Sequence, residues 1–259
     1  RFSEDVEDFA LSPDGTALAV IVRDAQFKPC TAKPINPPPL VTTRFQFKED
    51  ITGYLDDRRL HLHLVEVTDG SSVALTRGPY DHYLPAFSPD GRYIAYATKR
   101  GEDPDRHLNW DIYTVEAKAG GVEKQITHYP GTDLDPYWET RPAWSPDGRK
   151  IAYVRSEGGQ WTYYAPWQLA VVDLATGKES QPALPDQFTI KPHWLPDSRH
   201  LLALVESPQA MTAVKVDIES GKTEALTEGG RFDYGIAVNT SGDVVLNSST
   251  PGSPFELQR

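Results

Sequence analysis

Apolar residues in this chain come in short runs, each closed by a turn signal. Tyr93-Ile-Ala-Tyr96 and Lys150-Ile-Ala-Tyr153 are β-rich and mostly apolar, the pattern of strands covered on both faces. Leu60-His-Leu-His-Leu64 alternates instead. That puts the leucines on one face of a strand and His61 and His63 on the other, which is expected to be the more solvated one.

One phrase recurs along the chain. It reads Phe9-Ala-Leu-Ser-Pro-Asp-Gly15, then Pro85-Ala-Phe-Ser-Pro-Asp-Gly91, then Pro142-Ala-Trp-Ser-Pro-Asp-Gly148. Weaker copies are Pro192-His-Trp-Leu-Pro-Asp-Ser198 and Ile236-Ala-Val-Asn-Thr-Ser-Gly242. Each predicts a β-hairpin. Proline presets φ at the second turn position, aspartate is content at the third, and glycine supplies the positive φ that launches the next strand. A second phrase of strand, glycine turn and strand follows, as in His61 to Thr76 and Asp111 to Thr127. Two hairpins make a four-stranded antiparallel unit. The turn residues Gly15, Gly91, Gly148, Ser198 and Gly242 stand 76, 57, 50 and 44 residues apart, against ~40–50 for one propeller blade. The long first interval holds an insert from Ala25 to about Thr43. Its Pro34-Ile-Asn-Pro-Pro-Pro39 run predicts an extended, polyproline-like loop.

The expected fold is therefore all-β: a single β-propeller domain over residues 1–259, built of four-stranded antiparallel blades. The predicted units are 5–76, 80–127, 136–184, 188–227 and a partial 232–259, or about 4.5 blades at the usual repeat length. Both ends read as cut, with no initiator Met or apolar signal segment at Arg1 and a strand still running from Phe255 to Arg259. Such an array leaves open edges unless further chain covers them. Phe87, Trp144 and Trp194 share one repeat position and are expected in the blade core.

Composition narrows the function. No apolar run in the 259 residues approaches the ~18 a membrane span needs, and the mean hydropathy is −0.49. The 26 basic residues against 37 acidic ones give a net charge of −11. No basic face is left for a phosphate backbone, so neither nucleic acid nor membrane is an expected partner. One cysteine, Cys30, excludes an internal disulfide framework and fits a reducing compartment, so a cytoplasmic location is expected. The 22 prolines exceed the usual ~5% and fit many short elements joined by turns.

The Ser-Pro-Asp-Gly hairpins resemble the propeller repeats shared by TolB-like proteins and the prolyl oligopeptidase family of serine peptidases. The stretch from Thr43 to Val67 is more specific. Its centre, Gly53-Tyr-Leu-Asp-Asp-Arg-Arg-Leu-His-Leu62, is similar to the acylaminoacyl-peptidase-like branch, and the resemblance runs in order through nearly the whole chain. It implies a propeller of about seven blades, with an α/β-hydrolase domain of the same protein following the last. It carries no catalytic residue onto this chain, because no Gly-x-Ser-x-Gly elbow is present.

Few side chains stand out as candidates. Arg58 and Arg59 are the substrate-binding candidates: two guanidinium groups facing a cavity can hold a peptide carboxylate. Their bland alternative is ion pairing with Asp56, Asp57 or a neighbouring blade. His61 and His63 have metal-ligand spacing but no third ligand, and His-Glu-x-x-His is absent, so no metal and no cofactor is expected. Glu102-Asp-Pro-Asp105 and Asp133-Leu-Asp135 lack the calcium-loop pattern and are expected as solvated loops. Trp161, Tyr163, Tyr164 and Trp167 suit packing, with substrate contact as the sharper option.

The resemblance implies a propeller that gates short peptides into a serine peptidase, without catalytic residues of its own and with homo-oligomerisation left open. The alternative is a non-enzymatic, TolB-like propeller that binds a protein partner. A sialidase-like enzyme has less support, since these turns lack the downstream Trp of Ser-x-Asp-x-Gly-x-x-Trp.

Overall fold

Every repeat folds into a sheet, and in four of the five the strands pair in chain order, as the sequence pattern predicts. The computed structural model describes residues 2–25, 39, 41–50, 52–134, 136, 140–158, 161, 164–182, 184 and 188–259. Blade I is Val6–Leu11, Ala17–Arg23, Leu60–Glu66 and Ser72–Ala74. Blade II is His82–Phe87, Tyr93–Thr98, Asp111–Glu116 and Glu123–Gln125. Blade IV is Thr189–Trp194, His200–Ser207, Ala210–Asp217 and Thr223–Ala225. Blade V has Phe232–Val238, Val244–Thr250 and Ser253–Gln258, and meets blade IV at one parallel bridge, Met211 to Phe232.

Blade III differs at its start. Thr132–Asp133 pairs with the far end of Lys150–Ser156, and Ala143–Trp144 pairs with the near end. Gln168–Asp173 and Glu179–Ser180 complete the sheet. The blade thus begins at Thr132, earlier than the expected 136, because the chain leaves the sheet at Leu134 (φ 82°) and rejoins it after Pro142. Cys30 and all but the last residue of the Pro34–Pro39 run lie outside the described residues. Beyond them a small hairpin pairs Lys48–Glu49 with Gly53–Tyr54.

The recurrent turn is closed by its own side chains. Ser88 Oγ donates to Asp90 Oδ1 at 2.6 Å and accepts the Tyr93 N–H at 2.9 Å, while the Arg92 N–H reaches Asp90 Oδ1 at 3.0 Å. Gly91 supplies φ 69°. Ser12 with Asp14 and Ser145 with Asp147 repeat the pattern. The Ser12 hydroxyl, helped by the N–H and hydroxyl of Thr16, holds the Asp14 carboxyl down to about 2. In the fourth copy Leu195 replaces the serine, Ser198 takes the left-handed conformation (φ 55°), and Asp197 bonds His200 Nδ1 at 2.6 Å.

The apolar cores lie between blades. Ile21 and Leu62 of blade I meet Ile94 and Tyr96 of blade II; Ala97 and Ile112 of blade II meet Ile151 and Tyr153 of blade III. Blades III and IV join through Val171 and Leu201, and blades IV and V through Leu204, Ile236 and Leu246. The tryptophans of the repeat also reach across these seams. Trp144 Nε1 donates to Ala86 O at 3.0 Å, and Trp194 Nε1 to Ala143 O at 2.9 Å, so this repeat position staples blades III and IV each to the first strand of the blade before it.

Antiparallel alternation puts the first-to-second and third-to-fourth turns on one face. The second-to-third connections lie on the opposite face, and three of them are long: 24–59, 99–110 and 157–167. Variable, function-bearing segments belong on such a face. Trp194→Phe keeps the ring and loses the inter-blade bond, so it is expected to cost about 1 kcal/mol in a urea melt. Trp194→Ala is expected to cost about 3–5 kcal/mol.

Candidate functional site

On the long-connection face, residues 44–55, which follow the insert within the 24–59 connection of blade I, lie against blade II and wall a cavity of about 790 Å³. Phe45, Leu55, Tyr83, Leu108 and Trp110 supply apolar wall, and four cations line it: Arg23, Arg44, Arg59 and Lys99. Arg44 clamps Asp105 through both Nε and Nη2, each at 2.9 Å. Arg59 Nη1 bridges Asp81 at 2.9 Å and Asp105 at 3.0 Å. Asp81 also accepts the Leu60 N–H at 2.9 Å. These bonds tie this segment to blades I and II. Burial works against the Asp105 charge, but the bonds from Arg44 and Arg59 prevail and hold its carboxyl below the usual range.

Lys99 follows directly on the strand Tyr93–Thr98. Its Nζ donates to His107 O at 3.2 Å and sits 5.0 Å from the centre of the Trp110 ring. Burial pulls its pKa below the usual lysine range, against the pull of Asp105 and Asp81.

Residues 54–258 match the family model of the TolB beta propeller domain. The chain belongs to that family. Among its relatives, dipeptidyl-peptidase 5 of Porphyromonas gingivalis is 30% identical over 152 residues, 58% of this chain and 21% of that protein. The Tol-Pal system protein TolB of Francisella tularensis subsp. mediasiatica is 36% identical over 136 residues, 52% of this chain and 27% of that protein. The chain therefore aligns with only about a quarter or less of the length of these relatives. In structure, the acylaminoacyl peptidase of Pyrococcus horikoshii superposes with a TM-score of 0.67 at 11% identity, over 98% of this chain and 37% of that one. That likeness confirms the fold. The TolB-family propeller seen here is thus similar both to peptidase propellers and to TolB itself.

Within this TolB-family propeller the candidate residues separate. Arg59 lines the cavity, whereas Arg58 turns to Asp56 Oδ2 at 2.8 Å and Glu4 Oε2 at 3.2 Å. Asp105 is not solvated as expected: its side chain is 5% exposed because it is the shared partner of two arginines. His61 is likewise buried, not on a solvated face, since both faces of a blade are covered; its ring lies 5.3 Å from that of His82. His63 is half-buried against Phe2. No group of three metal-ligating side chains forms among the described residues. Trp161 and Tyr164 are exposed and pack edge to face, while Trp167 is core; Tyr163 and Asp135 lie outside the described residues. Sequence reasoning missed Arg44, Asp81 and Lys99. None sits at a conserved point of the repeat phrase, so no spacing pointed to them.

A second buried polar site joins blades II and III. Asp111 occupies the register position of His61, and Asp133 that of His82. Asp133 is fully buried and bonded by Arg155 Nε at 2.8 Å. Burial, and then the Asp133 charge, push the Asp111 carboxyl up to about 7. Asp111 Oδ1 has no hydrogen-bond partner among the described residues. A carboxyl raised on folding contributes stability at low pH that is lost as pH rises from about 4 through about 7. Asp111→Asn is expected to raise stability at pH 8 by about 1 kcal/mol or more and to have little such effect at pH 4. Thermal melts at the two pH values measure the difference.

Proposed function

We infer that this propeller gates short peptides into the active site of a serine peptidase. The observation that carries this reading is the cavity on the long-connection face. It is walled by the segment whose sequence resembles the acylaminoacyl-peptidase branch, in a chain 30% identical to a dipeptidyl-peptidase over its aligned part. The chemistry of acyl transfer needs a nucleophile, a base and an oxyanion hole. A separate α/β-hydrolase domain supplies them in this reading, and no cofactor is called for. The residues here do the positioning. Arg44 and Arg59 pin the 44–59 segment to blade II through Asp105 and Asp81, so the cavity wall is held in place. In this reading the fixed wall keeps out bulky or folded chains and admits extended peptides. A cytoplasmic setting belongs to the same proposal and rests on the cysteine-poor composition.

A TolB-like role in binding a protein partner is the second reading, favoured by the 36% identity to a TolB protein. The full-length protein separates the two. Under the gating reading a serine-directed fluorophosphonate labels it, and hydrolysis falls steeply as peptide length grows. Asp105→Asn loosens the 44–59 segment and is expected to raise the long-to-short turnover ratio several-fold. Absence of both labelling and hydrolysis leaves the partner-binding reading.

A further inference from the structure

We propose that the cavity holds the free C-terminal carboxylate of a short peptide on the Lys99 ammonium, with the terminal side chain against Trp110 and Leu108. This rests on the gating reading in one respect, that peptides reach the cavity, and it adds which end of the peptide is recognised and by what.

Arg44 and Arg59 share the carboxylates of Asp81 and Asp105, and Arg23 pairs with Glu7 at 3.6 Å. Lys99 is the one cation of the cavity wall that makes no hydrogen bond or close ion pair with a carboxylate among the described residues, although Asp105 and Asp81 act on it from farther off. An ammonium carries three donors. One goes to His107 O, and the Trp110 ring faces the charge without accepting a full hydrogen bond. Donor capacity is left over on a half-buried group, where an unmatched charge is costlier than in open solvent. The surroundings partly neutralise the cost and partly leave it, as the lowered pKa of this lysine records.

Ligand charge follows from the same sum. The whole wall carries four cations against five carboxylates, but the groups that act on Lys99 (Arg44, Arg59, Asp81 and Asp105) leave, together with it, one positive charge in excess. A monoanion matches it. A phosphate dianion overshoots, and Glu49 and Asp50 on the cavity wall repel it. Those same carboxylates tolerate a ligand that is neutral or cationic at its other end, as a peptide is. The volume of about 790 Å³ lies within the ~300–1,000 Å³ typical of small-ligand sites, and the aromatic wall suits an apolar terminal residue.

Calorimetry on the full-length protein, pretreated with the fluorophosphonate so that turnover adds no heat, tests the proposal. The probes are N-acetyl-Gly-Phe with a free carboxylate and the same compound as its C-terminal amide. The acid is expected to bind at least about tenfold more tightly than the amide, a difference in proportion to one charge-assisted pair. Lys99→Met is expected to abolish that preference, and Lys99→Arg to retain part of it. Equal affinity of acid and amide for the wild type overturns the proposal without any variant, as does the absence of binding by either. Retention of the preference in a folded Lys99→Met overturns it too. Failure of fluorophosphonate labelling with the acid preference intact would count against the peptidase reading alone.

Discussion

A four-stranded sheet that is apolar on both faces cannot stand in water by itself, and the architecture of this chain follows from that constraint. Ile94, Ala95, Tyr96 and Ala97 are consecutive, point alternately to opposite faces and are all fully buried. Neither face is free, so each blade is completed by its neighbours. The cores consequently sit at the seams between blades, and the seams are also where the indoles of Trp144 and Trp194 find backbone acceptors. Stability and repetition are the same property here, because blades II, III and IV each contribute to two cores and blades I and V to one.

Stacking also decides what happens to polar side chains. On a sheet with one wet face, His61 and Asp111 would be ordinary surface residues. In a stacked blade they are buried at one repeated position, opposite His82 and Asp133 of the next inner strand. His82 answers by hydrogen bonding Leu60 O at 2.7 Å through Nδ1, and burial pushes its pKa down to about 3, so it stays neutral. Asp133 answers with Arg155. Asp111 is left with an orphaned oxygen and a raised pKa. Of the two repeated positions, only His82 has both ring nitrogens partnered; His61 Nδ1, Asp111 Oδ1 and Asp133 Oδ2 have no hydrogen-bond partner among the described residues.

The cavity has a different origin. It lies where the repeat is interrupted, between the 24–59 connection of blade I and the 99–110 connection of blade II. Buried ion pairs add little net stability, since desolvation offsets attraction, but they fix geometry when fully hydrogen bonded. The Arg44, Arg59, Asp81 and Asp105 cluster fits that description: it holds a loop-built wall in one place against a rigid scaffold. Lys99 feels the charges of Asp81 and Asp105 but makes no direct ion pair with either.

The Ser-Pro-Asp-Gly turns and the strands around them were determined by the sequence alone, because the turn closes on its own side chains within a few residues and needs no distant partner. From those turns the blade, the repeat and the propeller could all be read, down to the shared position of Phe87, Trp144 and Trp194. The split first strand of blade III escaped, since Leu134 gives no sign of the left-handed backbone that sends the chain out of the sheet. The site escaped more completely. Arg44 and Asp105 are 61 residues apart, and Arg59, Asp81 and Lys99 fall in three different segments. Arg58 and Arg59 looked equivalent as neighbours, yet one faces Glu4 and the other Asp81. Local turn chemistry is written in adjacent residues; a charge cluster is written only in the folding of one blade's connection over the next blade, which tertiary structure alone decides.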